Sequence, residues 1–205
     1  MVSTLLGCPQ MLASHTSENS ATELKQIVTN WGIEKKVILT VSDNAANIKS
    51  AVENNLKWKH LGCLAHTLNL IVKDGFKCSD EINLVITKTK TIVGFFKRSS
   101  TANLKLIEYQ RNQGTSQPLK LLQDTPTRWN STFYMLERFL QLEEAIKTTI
   151  ALSNADLPLL SFTEWSILKQ LCQILKTFEM VTKDFSGDSY ETASIVLTLV
   201  NGLKK

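Results

Sequence analysis

Asp43 is the first residue in the sequence whose type and position could support chemistry. It follows Val37–Ser42, a short apolar and β-branched run that predicts a buried strand. A carboxylate at the carboxyl end of such a strand is well placed for a ligand or for Mg²⁺, which prefers oxygen ligands. The same carboxylate could instead accept backbone N–H groups at the start of the following helix. The sequence leaves both roles of Asp43 open.

A Cys-x-x-His pair, Cys63 and His66, is the second such feature. Residues three apart share one face of a helix, as two ligands of a zinc ion would. A structural zinc needs four ligands, however, and no second Cys/His pair has ligand spacing. The sequence therefore predicts a packed Cys63 and a hydrogen-bonded His66 rather than a zinc site.

The third feature is Arg128 beside Trp129, where a loop meets the next predicted helix. An arginine next to a tryptophan combines a phosphate-binding group with a surface on which a base can stack. The alternative is structural: Trp129 belongs to the core, and Thr127 or Asn130 caps the helix.

Basic residues are concentrated in the helical stretch 82–111, where one acid, Glu108, accompanies them. The basic residues are Lys88, Lys90, Lys97, Arg98, Lys105 and Arg111. Such a patch could neutralise several phosphates of a nucleic acid. A solvated helix face is the alternative that charge alone leaves open.

The elements that position these residues change in type along the chain. A helix over 20–31 with Ser20 as its cap, the strand Val37–Ser42 and a helix after Asp43 indicate an α/β arrangement. From Leu61 onward the periodicity is helical, with a helix capped by Thr163 and a last helix after Ser189. The fold class is therefore α/β turning to all-α, and we divide it into residues 1–80, 81–132 and 133–205.

Composition excludes several classes of protein. Of the 205 residues, 43% are hydrophobic and 20% are charged, which is typical of a folded chain rather than a disordered one. We find no apolar run long enough to cross a membrane and no secretory signal. The four irregularly spaced cysteines favour free thiols in a reducing compartment.

Taken in order, these motifs resemble those of the hAT-type transposases, and most closely their animal relatives, the zinc-finger BED-domain proteins. The matching segments are His15–Asn19, Trp31–Ile33, Val41–Asn47, Cys63–Leu70, Thr127–Thr132 and Ser186–Tyr190. The resemblance covers nearly the whole chain. It implies a ribonuclease-H-like core interrupted by a helical insertion domain, and a nuclear protein.

The resemblance also implies roles for individual residues. Enzymes of this family cut DNA with an Asp–Asp–Glu triad that holds two Mg²⁺ or Mn²⁺ ions. Asp43 matches the second Asp of the triad, and His66 matches a residue that helps to hold the DNA, whereas Cys63 packs. Trp129 matches a tryptophan that stacks against a flipped base, and Arg128 lies where it would meet the adjacent phosphate.

Two members of the triad have no match in this chain. No aspartate precedes Asp43, and the glutamates available in the predicted insertion, Glu179 and Glu191, match no catalytic motif. We therefore expect a partial core with a truncated sheet, Asp43 alone at the metal position, no cofactor in the chain as given and no catalysis. Exposed apolar surface on the partial sheet would favour a homo-oligomer or a protein partner.

The expected function is that of a transposase-derived protein without catalytic activity. One alternative is a residual nuclear DNA-binding module that uses Lys97, Arg98, Arg128 and Trp129. The other is a protein-interaction scaffold built on the helices between Phe133 and Leu203. No membrane partner is expected.

Overall fold

The computed structural model describes residues 4–10, 14–125, 127–153 and 155–185. It forms two compact units, one built on residues up to Leu70 together with those from Thr182, and the other on Ile71–Val181. The division at Leu70 comes earlier in the chain than the change at residue 80 that the periodicity predicts.

The first helix, α1, comprises Ser17–Asn30. The Thr16 side chain caps it by accepting a hydrogen bond from the Asn19 N–H at 3.2 Å. The cap predicted at Ser20 is wrong, because the helix begins one turn earlier and Ser20 is buried within it. The predicted end is confirmed at Gly32, whose φ of +62° suits glycine after a helix.

Two short parallel strands form the sheet of the first unit. Strand β1, Thr40–Ser42, pairs with strand β2, His60–Gly62, so that Thr40 lies opposite His60 and Ser42 opposite Gly62. The helix predicted from Leu61 is wrong at its start, because these residues pair with β1 before helix α3, Leu64–Lys77, begins. Pairing with a strand about twenty residues earlier overrides the local helical pattern.

Helix α2, Ala46–Ser50, connects the two strands and continues into a π-helical turn, Ala51–Asn55. Ala51 and Val52 in that turn are fully buried. They form the small core of the first unit together with apolar residues of α1 such as Val28. The predicted helix after Asp43 is confirmed.

The second unit is helical in its described residues. Its helices after α3 are α4 (Asp80–Arg98), α5 (Ser100–Asn112), α6 (Trp129–Gln141), α7 (Glu143–Ala151) and α8 (Phe162–Phe185). The apolar residues between Phe133 and Ile146 are divided at Leu142 between α6 and α7. The cap predicted at Thr163 is also wrong, because Ser161 Oγ accepts the hydrogen bond from the Glu164 N–H at 3.2 Å.

One apolar core holds these helices together. The ring of Phe139 on α6 stacks on Trp165 of α8, with centroids 5.2 Å apart. Val85 on α4, Leu136 on α6 and Leu168 on α8 are fully buried in the same cluster. Burying one side chain of this size contributes roughly 1.5–3 kcal/mol to the stability of the fold. The core therefore holds the helices in place and with them the residues on their surfaces.

The protein is thus mostly helical, with one two-stranded sheet in its described part. None of the described helices combines the length and the hydropathy needed to cross a lipid bilayer. The helix predicted after Ser189 and the motif Ser186–Tyr190 lie outside the described residues.

Candidate functional site

Asp43, Cys63 and His66 all follow the carboxyl edge of the two parallel strands, which we call the strand edge. Asp43 and Cys63 directly follow the register partners Ser42 and Gly62. The Cys63 N–H donates to the Ser42 carbonyl oxygen at 2.6 Å, and α3 starts with the next residue. His66 is the third residue of α3 and is half-buried. The parallel pairing therefore brings both sequence motifs to one place.

The Asp43 side chain is exposed and supports the turn into α2. Its Oδ1 accepts a hydrogen bond from the Ala45 N–H at 3.3 Å, an Asx turn before α2 begins at Ala46. This contact is close to the backbone-binding role that the sequence left open. The role of Asp43 in metal binding stays a prediction.

Asn44, next to Asp43, ties the strand edge to α3. Its Nδ2 donates to Thr67 Oγ1 at 3.0 Å, and Thr67 Oγ1 in turn donates to the Cys63 carbonyl oxygen at 3.1 Å. Gly62 provides the space for Asn44, because a Cβ atom at position 62 would overlap the Asn44 Oδ1 atom. A small residue at position 62 therefore positions the segment that carries Asp43.

The residues at the strand edge do not fit the two divalent ions that the family resemblance implies. Mg²⁺ and Mn²⁺ are held by several hard oxygen ligands, and Asp43 supplies one carboxylate beside a thiol and an imidazole. In the described part of the chain, no three His, Cys, Asp or Glu side chains lie close enough together to hold a metal ion. These residues on their own therefore lack the ligands that a two-metal site needs.

His60 makes a polar contact that the sequence does not predict. Its Nε2 lies 2.8 Å from Ser42 Oγ across the strand pair, and its Nδ1 lies 3.9 Å from Glu53 Oε1. The His60 side chain is only 4% exposed. The contact links β1, β2 and the π-helical turn, and the sequence carries no local signal for it because the partners are apart in the chain.

Arg128 lies on the surface of the second unit, at the start of α6. The Ser131 hydroxyl fixes this turn: it accepts from the Thr125 N–H at 2.9 Å and lies 2.7 Å from the Arg128 carbonyl oxygen. Lys73 on α3 donates to the Thr127 carbonyl oxygen at 3.0 Å, which places a second cation at the same turn. No local pattern in the sequence indicates Lys73, because it is distant from Arg128 in the chain.

Trp129 is buried in the core of the second unit. It is 1% exposed, and its ring packs against Phe133 and Phe178 with centroids 6.3 and 6.5 Å away. This geometry matches the core-packing alternative that the sequence left open. A DNA base could stack on Trp129 only if the ring left this core, so the base-stacking role stays a prediction.

Part of the predicted basic patch is neutralised within the protein. Lys88 forms an ion pair with Glu164 at 2.7 Å, and Lys90 forms one with Asp124 at 2.8 Å. The hydrogen bond from Lys88, with that from the Ser161 N–H, holds the pKa of Glu164 below its usual value. Lys88 and Lys90, two of the six basic residues in the stretch 82–111, are therefore already paired with carboxylates of the protein.

Several other basic residues of the second unit are exposed and form no ion pair with a described carboxylate. Four of them, Lys97, Arg98, Lys120 and Arg128, are what we call the cationic surface. The segment 119–125 runs along α4, because Leu121 lines a groove with Lys97 and Asp124 pairs with Lys90. The same segment leads to the turn at Arg128.

Comparison with known proteins identifies the class of domain to which this fold corresponds. Residues 61–174, more than half of the chain, match the family described as the ZBED1 RNase-like helical domain. The largely helical second unit agrees with that description.

Relatives are found among both transposases and BED proteins. Zinc finger BED domain-containing protein 4 of Homo sapiens is 32% identical over 87% of this chain. The Putative AC transposase of Zea mays is 29% identical over 88% of it, and the Transposable element Hobo transposase of Drosophila melanogaster is 27% identical over 96%. The matches span 15%, 24% and 28% of these three relatives, respectively.

The chain belongs to the family of hAT transposases and zinc finger BED domain-containing proteins. The family resemblance predicted from the motifs is thereby confirmed.

Proposed function

We propose that this transposase-derived chain binds DNA in the nucleus through its cationic surface, and that its 205 residues do not cut DNA on their own. The observation that carries DNA binding is the exposure of Lys97, Arg98 and Arg128 without a described carboxylate partner. Charged groups that are not already neutralised are available to replace the counterions of a phosphate backbone.

The surroundings of Arg128 support phosphate binding at that position. The guanidinium presents several N–H donors in a plane, which suits a phosphate oxygen pair. Helix α6 begins at the next residue and has no acidic residue in its first turn, so the positive end of its dipole adds to the charge of Arg128. Lys73 adds a further cation at the Thr127 carbonyl.

The contacts of this surface predict binding to the DNA backbone rather than to particular bases. Lysine and arginine contacts to phosphates carry no sequence information by themselves. The affinity should therefore depend strongly on salt and weakly on sequence.

Fluorescence anisotropy with a labelled duplex tests the proposal over about 50 to 200 mM salt, the range in which phosphate contacts dominate. We expect Arg128→Ala to weaken binding by about fivefold and to lower the slope of log affinity against log salt by about 1. Lys169→Ala is the matched control, because it removes the same charge from a residue paired with Glu143 at 3.0 Å.

Two results would contradict the proposed DNA binding. One is an affinity that does not change with salt; the other is an equal effect of Arg128→Ala and Lys169→Ala. A second duplex of unrelated sequence should bind with nearly the same affinity.

The proposal that the chain does not cut DNA rests on the donor chemistry of the strand edge, where Asp43 supplies the single carboxylate. Incubation of the full chain with supercoiled plasmid and Mg²⁺ or Mn²⁺ should leave the plasmid intact. Metal-dependent nicking that is lost in Asp43→Ala would overturn this part of the proposal.

Protein interaction is a second candidate function, favoured by the exposed face of the sheet. Val41 and Leu61 are register partners, so their side chains lie on the same face, and they are 58% and 37% exposed. Paired apolar residues in solvent are typical of a surface that a partner or a second copy covers. Light scattering after size exclusion tests this: a monomer at all concentrations that binds no apolar dye would contradict it.

A further inference from the structure

A groove between the end of α4, the start of α5 and the segment 119–121 contains two residues of the cationic surface. Its volume is ≈ 360 Å³, close to the lower end of ordinary ligand sites, which hold roughly 300–1,000 Å³. The lining residues are Phe96, Lys97, Ser100, Asn103, Leu104, Lys120 and Leu121.

The charge of this groove is positive and is not compensated by its own lining. Lys97 and Lys120 are both exposed, and none of the lining residues is acidic. Lys90 lies about two turns before Lys97 on α4 and differs from it, because Asp124 neutralises its charge. The groove therefore favours an anionic ligand.

The other lining residues combine hydrogen-bond donors for a small anion with apolar side chains that would contact the rest of the ligand. The Ser100 hydroxyl and the Asn103 amide supply neutral hydrogen-bond donors. Phe96 and Leu121 are each 2% exposed and form a fixed floor, so the positions of Lys97 and Lys120 are set by the core beneath them. Leu104 is exposed at the groove and offers apolar contact.

We propose that Lys97 and Lys120 hold one and the same backbone phosphate of DNA in this groove, with Ser100 and Asn103 as hydrogen-bond donors. The proposal rests on the proposed DNA binding and deepens it, because it assigns a specific phosphate site to two residues that come together only in the fold. A phosphodiester fits the groove chemistry, and free phosphate shares that chemistry.

Salt titrations of the full chain with Lys97→Ala, Lys120→Ala and the double variant test whether the two lysines share a phosphate. Each neutralised phosphate contributes about 0.9 to the slope of log affinity against log salt. If the lysines share one phosphate, the double variant loses about 0.9 in total; separate phosphates would give a loss of about 1.8 and would overturn the proposal. Lys120→Arg should keep the wild-type slope.

A competition experiment separates a DNA site from a site for free phosphate. At equal ionic strength, inorganic phosphate should displace DNA from the wild-type chain more than chloride does, and the difference should disappear in the double variant. Phosphate that binds the groove without displacing DNA would overturn the proposal.

The experiments distinguish a failure of the groove proposal from a failure of the proposed DNA binding. If Lys120→Ala binds like wild type while Arg128→Ala is weakened, the groove proposal is wrong and DNA binding stands. If the wild-type chain shows no salt-dependent binding, the proposed function itself is wrong. Circular dichroism of each variant confirms that the helices are intact.

Discussion

Asn44 Nδ2 donates a hydrogen bond to Thr67 Oγ1 at 3.0 Å, and this contact joins the residue after Asp43 to the helix that carries His66. The two partners are 23 residues apart in the chain. Their contact depends on Gly62, whose missing side chain leaves room for Asn44. This side-chain hydrogen bond, next to a glycine, thus helps to fix the geometry of the strand edge.

We predict that Gly62→Ala destabilises the chain by displacing Asn44 and breaking its hydrogen bond to Thr67. The loss should be about 0.5–1.5 kcal/mol, the net value of one hydrogen bond, because the Asn44 side chain can move away. Urea denaturation of Gly62→Ala, Asn44→Ala and the double variant measures it. In the Asn44→Ala background, Gly62→Ala should cost little; a full additional cost would contradict this account.

Trp129 provides a prediction that separates its two possible roles. Because the ring is buried between Phe133 and Phe178, Trp129→Ala should cost about 3–5 kcal/mol of the free energy of unfolding. Trp129→Phe should fold and, if the residue only packs, bind DNA as wild type does in the anisotropy assay. A folded Trp129→Phe variant with strongly weakened binding would instead favour a DNA contact.

The Lys88–Glu164 ion pair makes stability depend on pH. The pKa of Glu164 is below its ordinary value of 4.5 because Lys88 and the Ser161 N–H donate hydrogen bonds to the carboxylate. A lowered carboxyl pKa stabilises the fold above the ordinary pKa, and this contribution is lost as the pH falls through the folded-state pKa. Glu164→Gln should therefore be less stable than wild type by about 1 kcal/mol at neutral pH.

Urea midpoints measured from neutral pH down to below the ordinary pKa of Glu164 test this prediction. The difference between wild type and Glu164→Gln should be constant above that pKa and should shrink as the pH falls. Glu144→Gln is the control, since the Glu144 side chain is 75% exposed. A difference that grows on acidification would contradict the assigned role of Glu164.

The four cysteines should differ in their reaction with a thiol reagent. Burial, with a smaller effect of Glu137, raises the pKa of Cys172 to about 12, whereas Cys8 and Cys78 are exposed. The thiolate is the reactive form, so Cys172 should stay unmodified in the native chain at mildly alkaline pH. Mass spectrometry after a short labelling checks this, with denatured chain as the control; rapid native labelling of Cys172 would contradict it.

The family was evident from the sequence because its motifs are local. Val41–Asn47, Cys63–Leu70 and Thr127–Thr132 are read from consecutive residues, and their order needs no structure. The long amphipathic helices α4 and α8 were likewise predicted from apolar periodicity, since one face of each helix repeats every three to four residues. The strand before Asp43 was also predicted, although only Thr40–Ser42 of it pairs.

The tertiary structure decided which of these residues can act. Strand β2 exists because His60–Gly62 hydrogen-bond to β1, which outweighs the helical pattern of their own segment. Lys88 is neutralised by a glutamate 76 residues away, and Trp129 packs against Phe178 of a different helix, α8. Such contacts join residues that are distant in the chain, so no local pattern encodes them. In the same way, Lys97 and Lys120 become neighbours only when the core beneath them has formed.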